Sequence, residues 1–184
     1  VEQTQQLGTG HATAMAEPAL TGDDDRDVFV LAGDGPLIRS QTLTALLDLH
    51  RKEGAAATLA TALLENPSGY GRVLREADGS YKTIVEQADA TPEQLAIREV
   101  NPSYYCFRSG PLFAGLKQVN NNNRQGEYYL TDVPALLKKQ GQRVSVVDAV
   151  PAEDVLSINT PQQLDEVSRI LESRLSAAGK RGDA

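Results

Sequence analysis

The 184-residue chain has no tryptophan, one cysteine and one methionine, and its only aromatic residues are six tyrosines and three phenylalanines. A lone thiol, Cys106, rules out an internal disulfide framework. It fits a reducing compartment, so a cytoplasmic location is expected. No apolar run approaches the roughly 18 residues of a membrane span, and the start Val1-Glu2-Gln3-Thr4-Gln5 has neither the basic nor the apolar region of a signal peptide. Basic charge is the minority sign. Eighteen Lys and Arg against 25 Asp and Glu leave a formal net charge of −7, which argues against broad attraction to nucleic acid or an anionic membrane. An anionic nucleotide would need a local site assisted by a metal.

What is present suits one globular α/β domain: 40% hydrophobic and 23% charged residues, with no internal repeat. A polar, glycine-rich loop over 3–11 enters a short helix near 10–16, with Thr9 as its expected cap. The acidic loop 23–25 follows. The run Val28-Phe29-Val30-Leu31 predicts a strand covered on both faces. Leu43, Leu46, Leu47 and His50 predict a helix over 41–52, capped by Ser40 and stopped by Gly54. Strands are expected at 57–63, 100–107 and 143–147, with a hairpin around Ala77-Asp78-Gly79. Helices are expected at 111–118 and 131–140, with a short helix or loop at 93–98. A last helix begins at Thr160-Pro161, its apolar face formed by Leu164, Val167, Ile170, Leu171 and Leu175. The alternation implies a Rossmann-like, mostly parallel mixed sheet with helices on both faces and a β-hairpin insertion. The domain is expected over 1–176, with a flexible tail at 177–184.

In such a sheet, ligands bind beyond the carboxyl ends of the strands. Asp34, leaving the 28–31 strand through Gly33, is placed there, although a turn cap for Pro36–Ser40 would use the same residue. Asn159 precedes the last helix, where by itself it reads as the N-cap. His11 has no serine or carboxylate pattern that would make it a base. Gly69-Tyr70-Gly71-Arg72 reads by itself as a β-turn, and Glu86 and Asn101 as strand-end polar residues. The string Asn121-Asn122-Asn123-Arg124-Gln125-Gly126-Glu127-Tyr128-Tyr129-Leu130-Thr131-Asp132 is too idiosyncratic for a generic helix entry.

These motifs, in this order across essentially the whole chain, resemble the bacterial N-acetylglucosamine-1-phosphate uridylyltransferase family. The resemblance implies a nucleotide-diphospho-sugar transferase fold and attack by N-acetylglucosamine-1-phosphate on the α-phosphate of UTP, giving UDP-N-acetylglucosamine and pyrophosphate. It makes Asp34 and Asn159 the catalytic Mg2+ ligands. Gln3, Gly8, Thr9 and Gly33 would bind the nucleotide, and Gly71, Glu86, Asn101, Glu127 and Tyr129 the sugar. Partners would be UTP and the sugar phosphate, with homo-oligomers formed through segments outside this chain. Three departures stand out. Ala32 replaces a Tyr, Asn101-Pro102-Ser103 replaces an Asn-Thr/Ala-Gly sequence, and the family's Arg-bearing glycine-rich phosphate loop and Pro-Lys pair do not occur. The polar start predicts a chain that begins inside a domain, with the Asp34 strand left as an open edge. A different sugar or base, or a catalytically silent domain that binds a nucleotide sugar or a partner, are the competing expectations.

Overall fold

A computed structural model describes residues 1–20, 22 and 24–182, and side chains as far as Ala177. Asp23, in the expected acidic loop, and residues 183–184 of the expected tail lie outside the described residues. Six strands, β1 (Asp27–Leu31), β2 (Ala57–Leu63), β3 (Gly71–Arg75), β4 (Tyr81–Val85), β5 (Glu99–Arg108) and β6 (Val144–Asp148), form one mixed sheet. The helices are α1 (Thr9–Ala14), α2 (Ser40–Glu53), α3 (Pro92–Leu95), α4 (Ser109–Leu116), α5 (Asp132–Lys139) and α6 (Pro161–Gly182). α2 covers one face through Leu46, packed with Ala60, Cys106 and Val150. α4 and α5 cover the other with Leu112, Phe113, Val133 and Leu137 against Leu59 and Phe107.

Strand direction agrees with the alternating pattern, but strand pairing does not follow from it. β1, β2, β3 and β6 point one way; β4 and β5 point the other, so β2–β6 is the parallel pair among the described ladders. The ten-residue β5 pairs along one side with β2. On its other side it pairs with β1 over 104–108 and with β3 at 100–101. The sheet therefore splits at residues 102–103.

The split has a local cause. Ala60 faces Tyr104 and Ala62 faces Val100, so Thr61 alone opposes residues 101–103, which form a bulge. Pro102 cannot donate to a ladder, and Ser103 takes a φ of 62°, the left-handed region. Asn101 Oδ1 accepts from the Ser103 N–H at 3.2 Å and holds the bulge shut.

Several expected details shift. Gly8, not Thr9, is the N-cap of α1; the Thr9 hydroxyl instead accepts from the Leu130 N–H at 3.1 Å. Ser40 is the first residue of α2 and Arg39 its cap, while Gly54 does end the helix. β1 is not covered on both faces. It pairs only with β5 among the described residues, and Phe29 and Leu31 are 36% and 39% exposed. On α6, Val167 is buried but Leu164 and Leu175 are exposed. The α6 backbone continues through Gly182, past the start of the expected tail.

Candidate active site

The cleft opened by the β5 bulge is the floor of a cavity of about 490 Å³. β1 delivers Asp34 to it. Beyond Leu31 the chain is pinned to the bulge, the Ala32 N–H donating to Ser103 O at 3.1 Å, and then turns at Gly35. A Cβ on Gly35 would lie 2.7 Å from the Tyr104 hydroxyl, so the turn needs glycine to pass that ring. The Tyr104 hydroxyl in turn donates to Gly35 O at 3.3 Å. The exposed Asp34 carboxylate has no hydrogen-bond partner among the described residues.

Asn159 arrives from a segment 125 positions later in the chain, and one backbone bond joins the two. The Ile158 N–H donates to Asp34 O at 2.9 Å. The Asn159 side chain lines the same cavity, and its Nδ2 donates to Ser157 Oγ at 3.0 Å, which leaves Oδ1 for another partner. Thr160 caps α6, accepting from the Gln163 N–H at 3.2 Å. Asn159 is therefore relieved of the capping role that its position allowed.

Thr9, Gly71, Glu86 and Asn101 line this cavity too. Asn101 is buried, and its Nδ2 donates to the Tyr105 hydroxyl at 2.6 Å. Glu86 Oε1 accepts from the Thr131 hydroxyl at 2.9 Å. Burial, reinforced by Asp132, Asp89 and Glu127, raises the Glu86 carboxyl above its ordinary pKa despite that bond. Gly33 lines an adjoining cavity of about 420 Å³ that shares Thr9, Asp34 and Glu86. A side cavity of about 280 Å³ joins at Glu86, lined by Asn122, Asn123, Tyr129 and Thr131. Burial and the neighbouring Asp89 push the Tyr129 phenol up to about 12.

Gln3, Gly8 and Glu127 do not line these cavities; they brace the loops beside them. Gln3 Nε2 lies 2.9 Å from His11 Nδ1 and donates to Gly8 O at 3.3 Å. Gly8 has a φ of 103°, and a Cβ there would meet the Glu127 Cβ and Tyr128 O at 2.8 Å. The two loops are laced together by Gly10 N–H to Tyr128 O and Tyr128 N–H to Leu7 O, both 2.8 Å. Sequence reasoning passed over Tyr70, Ser157 and Gln125, which also line the cavity. None belongs to a periodic pattern, and only the fold brings them together. A larger cavity, about 540 Å³, lies against α5 and β4 beside Glu76, Lys82 and Lys138. It contains neither Asp34 nor Asn159, so size does not identify the site.

The profile of the family described as nucleotidyl transferase matches residues 1–167. The chain belongs to the nucleotidyl transferase family. Its curated relatives include the bifunctional protein GlmU of Clostridium acetobutylicum, 45% identical over 174 residues, and that of Pelobacter propionicus, 44% identical over 174 residues. Each match covers 95% of this chain and 38% of the relative, so the chain spans well under half the length of either protein. Among solved structures, UDP-glucose pyrophosphorylase complexed with UDP-glucose superposes with a TM-score of 0.63 at 17% identity, covering 84% of this chain and 61% of that one. This likeness speaks for the nucleotidyl transferase fold.

Proposed function

We propose that this chain carries the uridylyltransferase site of a sugar-1-phosphate nucleotidyl transferase, joining UTP and N-acetylglucosamine-1-phosphate to give UDP-N-acetylglucosamine and pyrophosphate. The reading takes residues 1–176 as the transferase domain, 177–184 as a tail and the cytoplasm as its location. The observation that carries it is the meeting of Asp34 and Asn159 in one cavity, with Asp34 O bonded to the Ile158 N–H. A carboxylate and an amide oxygen are the hard donors that Mg2+ takes, usually only one or two from protein. Bound there, the ion would neutralise charge on the nucleotide phosphates as it builds up.

The remaining work is positioning. No side-chain nucleophile is needed, because the sugar phosphate brings its own anionic oxygen. That oxygen bonds to the α-phosphorus as the bond to the bridging oxygen breaks, and the electron pair leaves with pyrophosphate. Thr9 and Gly33 flank the nucleotide side, with Gln3 and Gly8 holding the loop that carries Thr9. Gly71, Glu86 and Asn101 meet the sugar hydroxyls. The side cavity behind Glu86, with the Tyr129 ring and the Asn122 and Asn123 amides, suits an N-acetyl group, which offers a methyl and an amide at once. Glu127 supports that wall: the Asn123 amide donates to its carbonyl at 2.6 Å.

Pyrophosphate release from UTP, measured across a panel of sugar-1-phosphates, tests the reading. Turnover should require a divalent cation and favour N-acetylglucosamine-1-phosphate. Asp34→Asn should cut kcat/KM by at least about a hundredfold, roughly 2.7 kcal/mol of transition-state stabilisation, with an unchanged melting temperature. Near-normal turnover in that variant refutes the metal site. Nucleotide-sugar binding without any turnover would instead favour a silent binding domain.

A further inference from the structure

Away from the cavity, at the other end of β1, three side chains of metal-ligating type converge. Asp27 opens β1, His50 comes from the last turn of α2, and Cys106 lies on β5. One donor atom from each lies within 4.8 Å of the others. His50 and Cys106 are buried, at 1% and 0% exposure, whereas the Asp27 side chain is 20% exposed. The His50 Nε2 is buried and has no hydrogen-bond partner among the described residues. An orphaned imidazole nitrogen beside a thiol and a carboxylate needs an explanation.

We propose that Asp27, His50 and Cys106 bind a thiolate-seeking divalent ion of the zinc type, with a water molecule as the fourth ligand. Two neighbouring contacts orient the ligand atoms. His50 Nδ1 lies 2.9 Å from Thr58 Oγ1, and in the tautomer in which Nδ1 donates to that hydroxyl Nε2 carries a free lone pair for a metal. The Arg51 Nε donates to Asp27 Oδ2 at 2.6 Å, so Oδ1 is left facing His50 Nε2 at 3.5 Å. Ligand atoms around a tetrahedral zinc, about 2.0–2.3 Å from the metal, stand roughly 3.3–3.8 Å apart. The nitrogen–oxygen pair already has that spacing, and closing the rest takes about an ångström of movement at most. The set differs in kind from the oxygen donors of the cavity, since sulfur and imidazole select softer ions than Mg2+.

The two buried ligands start from opposite states of readiness. Burial lowers the His50 pKa, which keeps the ring neutral and its lone pair free at neutral pH. Burial pushes the Cys106 thiol up to about 12, so the ion must displace its proton: the S–H bond breaks, the sulfur pair bonds to the metal, and H+ leaves to solvent. The ion would fasten β1, which pairs only with β5 among the described residues, to β5 and α2.

The test titrates metal-stripped protein with Co2+ in excess Mg2+, which occupies hard oxygen sites. One equivalent of Co2+ should produce the near-ultraviolet thiolate-to-cobalt charge-transfer band, reversed by Zn2+, with release of a proton. Cys106 is the only cysteine, so the band has no other source in the protein. Cys106→Ser should abolish the band and any rise in melting temperature caused by Zn2+. Asp27→Asn, on the half-open side, should keep the band but weaken Co2+ binding at least tenfold. A folded protein that shows no band at saturating Co2+, or an Asp27→Asn variant with unchanged affinity, overturns the proposal.

Discussion

Ser103 and Glu86 are both held in states that cost stability, and both line the cavity. A non-glycine residue at a φ of 62° costs about 1–2 kcal/mol, against which glycine gives back part through its greater freedom in the unfolded chain. Ser103→Gly is therefore expected to stabilise the domain by up to about 1 kcal/mol, read from the urea midpoint at constant slope. A loss would show that the Ser103 side chain contributes more than its backbone costs. For Glu86 the sign follows from the direction of its shift. The folded carboxyl binds its proton more tightly than the unfolded one, so its favourable contribution is present below the unfolded value, about 4.3, and lost as pH rises through the folded value. Glu86→Gln removes the ionisation. The variant should unfold at higher urea than its parent at pH 7, and the gap should narrow as the pH falls toward 4. A gap independent of pH refutes the assignment. If Glu86 binds the sugar, the same variant should lose about tenfold in sugar-phosphate affinity, the cost of a hydrogen bond to a charged group.

At the scale of elements, α6 borders the cavity only through Ser157 and Asn159, the residues that lead into it, yet its position is set more than three turns downstream. Asp154, 1% exposed at its side chain, accepts from Arg39 Nε at 2.5 Å and also from Arg174 on α6. Arg174 further donates to Leu37 O at 3.2 Å, tying α6 to the chain just beyond the Asp34 turn. Two arginines sharing one buried carboxylate make that carboxylate the costly member to remove. Asp154→Ala should cost about 2–3 kcal/mol, because both arginines are partly exposed and keep Glu153 as a partner, whereas Arg174→Ala, which leaves Arg39 in place, should cost about 1 kcal/mol. Arg174→Ala should also speed amide exchange along α6 while leaving β2 and β5 protected. Uniform exchange in that variant would mean that α6 is held elsewhere. None of this was legible in the sequence, because Arg39, Asp154 and Arg174 sit at positions without period or motif. The helices and strands themselves were legible within a few residues, since Leu43, Leu46 and Leu47, or Ala57 to Leu63, carry a local apolar pattern. Caps were less so: Gly8 displaced Thr9 because the Thr9 hydroxyl has a tertiary partner, the Leu130 N–H.

Over the whole molecule, the site is a gap in a sheet, and a gap leaves no local signature. Asp34 was singled out by its place after a strand and Asn159 by its match to a family motif before the last helix, and both signals are properties of order along the chain. Their convergence depends on β5 running against β1 and β2 and breaking at Pro102 and Ser103, which alternation alone does not reveal. The acidic balance acts at the same scale. With a formal charge of −7, the field far from the cavity repels an anionic nucleotide, and only close to the Asp34 end can a cation reverse that sign locally. Salt should then act opposite to its usual effect on a protein that attracts nucleotide phosphates. Raising ionic strength from about 0.01 M to about 0.15 M shortens the Debye length from about 30 Å to about 8 Å, which removes distant repulsion and spares contacts inside the cleft. At fixed saturating Mg2+, the association rate of a fluorescent uridine nucleotide, followed by stopped flow, should rise by a few-fold over that range while its dissociation rate changes little. A rate that falls with salt would mean that a positive local field at the cavity mouth, and not the net charge, governs the approach.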